Sequence, residues 1–235
     1  GVASIRGIWR ASTILNQPMA DAAGCRIIVF AKAPIAGQVK TRLCPPLSPE
    51  EAAELHRRMI MHTLNTAFLA DLGPVALHCA PHTEHDFFAH CRRDFAVRLQ
   101  SQVAGDLGLK MQIALNGAGR AILIGTDCPS ITPAYLRDAA AALSSANSIV
   151  FGPAEDGGYG LIGINGATPD IFSGIPWGTS DVMKSTRNIL SATGQAWREL
   201  APIWDVDRPK DLERLASDAE LNYLLNGFAL APVAS

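Results

Sequence analysis

Four groups of residues in this chain have the types and spacing that chemistry on an anionic ligand requires. The first is Phe30-Ala31-Lys32-Ala33-Pro34-Ile35-Ala36-Gly37-Gln38-Val39-Lys40-Thr41-Arg42-Leu43, which gathers three cations, a hydroxyl and a glycine. Lysine supplies a compact point charge and arginine a planar fork, the combination that phosphate oxygens accept, and Gly37 lets backbone approach a ligand. The pattern is not a Walker loop, because G-x-x-x-x-G-K-[ST] is absent, and three cations alone also suit a solvated loop. The second group, Gly125-Thr126-Asp127-Cys128-Pro129, sets one carboxylate directly after an apolar run. Asp127 can hold a divalent cation there or simply cap a turn.

The third group is Gly152-Pro153-Ala154-Glu155-Asp156-Gly157-Gly158-Tyr159. Asp-Gly is a turn signal, but two acids followed by two glycines also leave an open space beside a carboxylate. Asp156 could take a proton from an acceptor hydroxyl. In the fourth, Trp204-Asp205-Val206-Asp207-Arg208-Pro209-Lys210-Asp211-Leu212, Asp205 and Asp207 stand two apart. On an extended segment they share one side, and Asp207 could equally cap the helix that Pro209 opens. The six histidines form no triad or zinc pattern; His82, His85 and His90 read as the solvent face of one amphipathic helix. Cys128 has no base implied beside it and reads as structural.

These groups need a frame, and the chain supplies one. Arg26 to Ala31 is a short β-branched run that reads as a buried strand. A helix is predicted from Ser48, with Pro49 in its first turn and Glu51 completing a capping box; Gly73-Pro74 stops it. Strands are expected at 75–79, 97–100, 121–125, 148–151, 159–164 and 203–206. Helices are expected at 83–95, 106–116, 132–143, 180–192 and 209–215. Apolar strands alternating with amphipathic helices predict an α/β fold, a three-layer α/β/α sandwich around a mainly parallel sheet. Ligands in such sheets bind beyond the carboxyl ends of the strands, which is where the four groups fall.

Composition narrows the partners. With 20 Lys plus Arg against 22 Asp plus Glu, the chain has no strong overall field to gather nucleic acid or an anionic membrane. Five scattered cysteines without a C-x-x-C pair fit a reducing compartment, so the expected location is cytoplasmic. No apolar run is long enough to insert in a bilayer. Residues 1–24 read as a loosely ordered extension and 25–235 as one domain.

The blocks F-A-K-A-P-x-x-G-x-V-K-T-R-L, Q-x-x-G-D-L-G, G-T-D-C-P, G-P-A-E-D-G-G-Y and D-V-D-x-P-x-D-L occur in an order that resembles the bacterial selenodomain-associated or arsenosugar-biosynthesis glycosyltransferases. The resemblance runs from about Ile27 to Leu215. It implies the glycosyltransferase-A (nucleotide-diphospho-sugar transferase) fold with a mixed central sheet. It places Lys32, Gly37, Lys40 and Arg42 in the family's phosphate loop, and Gln102, Gly105 and Asp106 on the nucleotide side. It assigns Asp127, Asp205 and Asp207 to Mg²⁺ or Mn²⁺. Arg208 stands where that block commonly carries a small residue. The implied activity is metal-dependent transfer from a nucleotide sugar to a small-molecule acceptor, with Asp156 as the base. The segment K-x7-K-T-R-L and the late D-V-D-x-P-x-D-L are also similar to guanylyltransferases that activate phosphorylated hydroxy acids. Nucleotidyl transfer is therefore the alternative reaction, and a nucleotide-binding module without catalysis is the alternative class.

Overall fold

The structure, a computed structural model, describes residues 24–144 and 148–228. The extension expected over 1–24 lies outside them except for Gly24. Seven strands form one sheet: β1 (Arg26–Lys32), β2 (Val75–Ala80), β3 (Arg98–Ser101), β4 (Arg120–Gly125), β5 (Ile149–Pro153), β6 (Tyr159–Asn165) and β7 (Trp197–Glu199). Their order is β3-β2-β1-β4-β6-β5-β7. Every neighbouring pair is parallel except those of β6, which runs antiparallel to β4 and β5.

Among the described residues six α-helices accompany the sheet: α1 (Pro49–Ala70), α2 (Asp86–Phe95), α3 (Leu107–Leu115), α4 (Pro133–Ala142), α5 (Val182–Ala192) and α6 (Pro209–Ser217). Successive strand residues point to opposite faces, so β1 divides its side chains between two cores. Ile27 and Val29 pack with Ile60 and Leu64 of α1, Phe88 of α2 and Leu136 of α4. Ile28 and Phe30 pack with Met111 of α3 and Met183 and Leu190 of α5. The expected three-layer sandwich and its mainly parallel, mixed sheet are what the chain forms.

Local signals act as the sequence predicts at α1. Ser48 Oγ accepts from Glu51 N, and the Glu51 carboxylate accepts from Ser48 N, closing the capping box. The 203–206 segment departs from expectation. It is extended but joins the sheet only through an isolated bridge between Ala154 and Ile203, and the seventh strand lies at Trp197–Glu199 instead. Around that bridge Ile203 N donates to Pro153 O and Glu155 N to Ile203 O, while Val206 N turns to Asp127 O, so no continuous ladder forms. A third apolar cluster fixes this segment in place. It joins Leu43 and Leu47 to Leu55 and Met59 of α1, Trp204, Val206, Leu212 and Leu215.

Candidate active site

A cleft of about 1130 Å³ opens at the carboxyl ends of the strands. It is bordered by the β1 loop, Gly125–Cys128 after β4, the β5–β6 turn and the 204–214 segment. β1 and β4 are adjacent while the chain winds away from them in opposite directions, so the cleft sits at the sheet's switch point.

The third apolar cluster does more than close the fold. By burying Leu43 against Val206 and Leu212, it brings the cationic loop onto the acidic segment some 165 residues later. Lys40 Nζ lies 2.7 Å from Asp127 Oδ1 and also donates to Val206 O, and its side chain is only 5% exposed. Lys40 takes left-handed backbone (φ 51°) at the start of a one-turn 3-10 helix, Thr41–Leu43. Arg42 Nη1 donates to Asp207 Oδ2 at 2.7 Å, which raises the guanidinium further above its usual range. Lys32 closes β1 and lines the cleft with no ion pair among the described residues.

Asp127 carries the electrostatic centre. Burial within the cleft walls works to raise its carboxyl, and Lys40, through charge and hydrogen bond, more than offsets this with help from Lys32. The group is therefore held below the ordinary carboxylate range, although 56% of its side chain still opens onto the cleft. Asp205 behaves oppositely: burial, then repulsion from Asp156, pushes it up to about 6. Asp205 and Asp207 both line the cleft, with Val206 buried between them, so the shared side expected from their spacing is realised without a strand ladder. Asp207 does not cap α6. The Asp211 carboxylate instead accepts from both Asp207 N and Arg208 N, and Arg208 occupies the cap position. Arg208 borders the cleft and is exposed.

Asp156 Oδ1 accepts from Gly158 N at 2.9 Å, an orientation that leaves its second oxygen free at the cleft wall. Gly157 (φ 93°) must be glycine because a Cβ there would fall on the carbonyl oxygen of Ser180. Met183 N donates to Gly157 O, so the turn that presents Asp156 is tied to the start of α5.

The nucleotide-side block divides. Gln102 lines the cleft, where its Nε2 donates to His78 O at 2.8 Å and, at 3.4 Å, to Ala31 O, bracing the ends of β1 and β2. Asp106 caps α3 by accepting from Leu109 N at 2.8 Å and is not part of the cleft lining, nor are Gly37 and Gly105. Cys128 is buried, which pushes its thiol well up and keeps it protonated, as a structural reading requires.

Several cleft residues gave no sequence motif. His56, on the inward stripe of α1, lines the cleft floor; its Nε2 lies 3.1 Å from Lys32 O and its buried Nδ1 has no partner. That contact calls for Nε2 to carry the proton. Burial lowers its basicity, so the neutral ring is the resident form. Arg214 grips Glu155 through two bonds of 2.7 and 3.2 Å while stacking over Trp204, fixing one rim. Lys110, Tyr159 and Trp177 build another part of the cleft. Helical periodicity could have flagged His56, but nothing local could have paired Arg214 with Glu155.

Among the described residues, no three His, Cys, Asp or Glu side chains gather closely enough to cage a metal ion by themselves. The donor set is nevertheless all oxygen, the kind Mg²⁺ and Mn²⁺ prefer, and repulsion from Asp156 adds to the need of Asp205 for a positive charge beside it. Magnesium is commonly held by one or two carboxylates together with substrate phosphates rather than by a complete protein cage. The residues present fit that mode.

Residues 63–179 match the family model described as "Uncharacterized protein conserved in bacteria (DUF2064)". Among solved structures, the chain is similar to a provisionally named nucleotide-diphospho-sugar transferase from Desulfovibrio desulfuricans G20. The two share 27% identity with a TM-score of 0.75, over 87% of this chain and 94% of that one. It also shares its fold with a nucleotidyl transferase from Methanothermobacter thermautotroptrophicus, at 14% identity and a TM-score of 0.57, over 88% and 100% of the respective chains. No curated protein matches the sequence.

Proposed function

We propose that this chain is a metal-dependent transferase acting on a nucleotide-activated donor, and specifically a glycosyltransferase that uses a nucleotide sugar. One observation carries the reading: Lys40 and Arg42 meet Asp127 and Asp207 at the switch point of the sheet, so cations suited to a diphosphate and carboxylates suited to a divalent metal line one cleft. The likeness to the Desulfovibrio protein supports the same donor class.

Lys32, Lys40 and Arg42 hold the donor's phosphates, with Lys40 as point charge and Arg42 as fork. Because Lys40 and Arg42 are each paired with a carboxylate, a diphosphate would exchange partners with them rather than meet bare charge. Asp127 and Asp205, with Asp207 at the rim, would hold Mg²⁺ or Mn²⁺ against that diphosphate. Bound there, such an ion would supply Lewis acidity to offset charge on the diphosphate. Gln102 lies toward the nucleoside. Asp156 presents its free carboxylate oxygen to an acceptor hydroxyl and takes the proton as the acceptor oxygen bonds to the sugar's C1 and the C1–O bond breaks. The electron pair of that bond leaves with the nucleoside diphosphate.

Nucleotidyl transfer to a phosphorylated small molecule uses the same cations and acids but breaks the α-phosphorus bond and releases pyrophosphate. A product assay separates the two. With metal, the protein is incubated with nucleotide sugars in one series and with nucleoside triphosphates plus phosphorylated acids in the other. Nucleoside diphosphate released from a nucleotide sugar supports the proposal, and pyrophosphate formed only in the second series overturns it. Turnover in neither series, with nucleotide still bound, would leave a binding module.

A further inference from the structure

We propose that His62 is a positioning residue for Asp127, holding the loop that follows β4 through the Pro129 carbonyl, and that Tyr223 near the C-terminal end fixes the imidazole for that task. The hold on the loop stands on contacts alone; that it governs a metal at Asp127 rests on the transferase reading.

The loop after β4 has three successive carbonyls, each taken by a different donor. Val206 N donates to Asp127 O at 2.8 Å, Ile131 N donates to Cys128 O at 3.1 Å, and His62 Nε2 lies 3.0 Å from Pro129 O. The first two donors are backbone amides. The third is a side chain of α1, 67 positions before the carbonyl it reaches. Ser130, next along the loop, accepts through Oγ from Trp204 N at 3.2 Å and donates to Trp204 O at 3.1 Å. Polar contacts thus grip the loop from the 204–206 segment on one side and from His62 on the other. The Asp127 carboxylate is more than half exposed, so its aim depends on the backbone that carries it.

Hydrogen-bond chemistry fixes the form of the ring. A carbonyl only accepts, so Nε2 carries the proton, and Nδ1, 2.7 Å from Tyr223 Oη, accepts from the phenol. Burial lowers the basicity of His62 and keeps it in this neutral form. Bonds at both nitrogens set the plane of the imidazole, as outer groups do where a site must be aimed. Tyr223 is 46% exposed, but the one-turn 3-10 helix that carries it, Asn222–Leu225, is well seated. Its Leu224 and Leu225 join Leu55 and Met59 of α1 in the third apolar cluster. Arg58, one turn before His62, donates to Leu224 O at 3.0 Å and Asn226 O at 2.8 Å and lies over the Phe228 ring. Arg58 and His62 therefore fasten the C-terminal turn to α1, and that turn becomes part of the support beneath Asp127.

Amide exchange is followed by NMR in the full chain for the wild type, His62→Leu, His62→Gln and Tyr223→Phe. The Val206 and Trp204 amides, which donate to Asp127 O and Ser130 Oγ, report opening of the loop. The Met183 amide, which donates to Gly157 O at the β5–β6 turn, reports general loosening of the cleft. His62→Leu should speed exchange at Val206 and Trp204 by about tenfold, the scale of one lost hydrogen bond, with Met183 unchanged. His62→Gln places an N–H near the position of the imidazole Nε2 and should restore most of the protection. Tyr223→Phe should give a smaller change of the same sign. In calorimetry, the gain in nucleoside diphosphate affinity on replacing EDTA by Mn²⁺ should fall by about tenfold in His62→Leu and return in His62→Gln. Wild-type exchange at Val206 and Trp204 in His62→Leu, an equal rise at Met183, or a glutamine variant no better than leucine overturns the proposal. A metal gain undiminished in His62→Leu overturns the link to Asp127. If the wild type itself shows no metal gain while the exchange pattern holds, the metal reading falls and the grip of His62 on the loop stands.

Discussion

Replacing Lys40 by methionine separates a structural tie from a ligand contact, because the methionine fills a similar volume and deletes only the charge. Lys40 is almost wholly buried and has two partners, the Val206 carbonyl and Asp127. A hydrogen bond from a charged donor contributes about 1.5–3 kcal/mol. The ion pair adds little more, since Asp127 is more than half exposed and its share is reduced toward the surface value of about 0–1 kcal/mol. The change also removes the desolvation penalty of the ammonium, so a net loss of roughly 2 kcal/mol is expected. For a domain of this size that lowers Tm by about 4–8 °C. If Lys40 also holds donor phosphate, calorimetry should show nucleoside diphosphate binding weakened by about 10- to 100-fold in metal. The reasoning is refuted for this residue if Tm falls as predicted and the affinity stays within about twofold of wild type. Lys40 would then serve only to strap the β1 loop to the 203–207 segment.

Calorimetry should also show tighter nucleoside diphosphate binding with Mg²⁺ or Mn²⁺ than with EDTA, and Asp127→Asn should abolish that difference while the fold survives; equal affinities in metal and chelator would remove the ion from the site. His78 is buried in β2 against Phe30, and burial, with Arg26 adding to it, lowers its pKa to about 4 from an unfolded value of about 6.5. The fold favours the neutral ring, so this contribution is complete above pH of about 6.5 and is lost as pH falls toward about 4. Urea melts should therefore show about 2 kcal/mol less stability at pH 5 than at pH 7 from this group, a difference that shrinks in His78→Gln; an unchanged difference would contradict the assignment. Gly157→Ala combines positive φ with a collision against the Ser180 backbone and should cost about 3 kcal/mol or more, read as a lowered melting temperature or loss of soluble protein.

The frame and the chemical ingredients were legible in the sequence because both are local. The β-branched run Arg26–Ala31, the capping box at Ser48 and Glu51, and the alternation of strand and helix were enough to give a three-layer sandwich with the candidate site residues after its strands. The residue types in the β1 loop and after β4 likewise pointed to the phosphate and metal chemistry proposed for the cleft. What local pattern could not decide was who meets whom. Asp207 looked like a helix cap, yet burial of Leu43 against Val206 and Leu212 brings Arg42 to it, and Asp211 takes over the backbone donors. Asp106 looked like part of a binding block and serves α3 as its cap. The 203–206 segment was apolar enough for a strand, but its backbone groups are divided between Pro153 and Glu155 at one end and Asp127 at the other, and Asp205 and Asp207 line the cleft. Ion pairs and hydrogen bonds between residues more than fifty positions apart depend on how layers pack, so Lys40 with Val206, and Glu155 with Arg214, were fixed only by the tertiary structure.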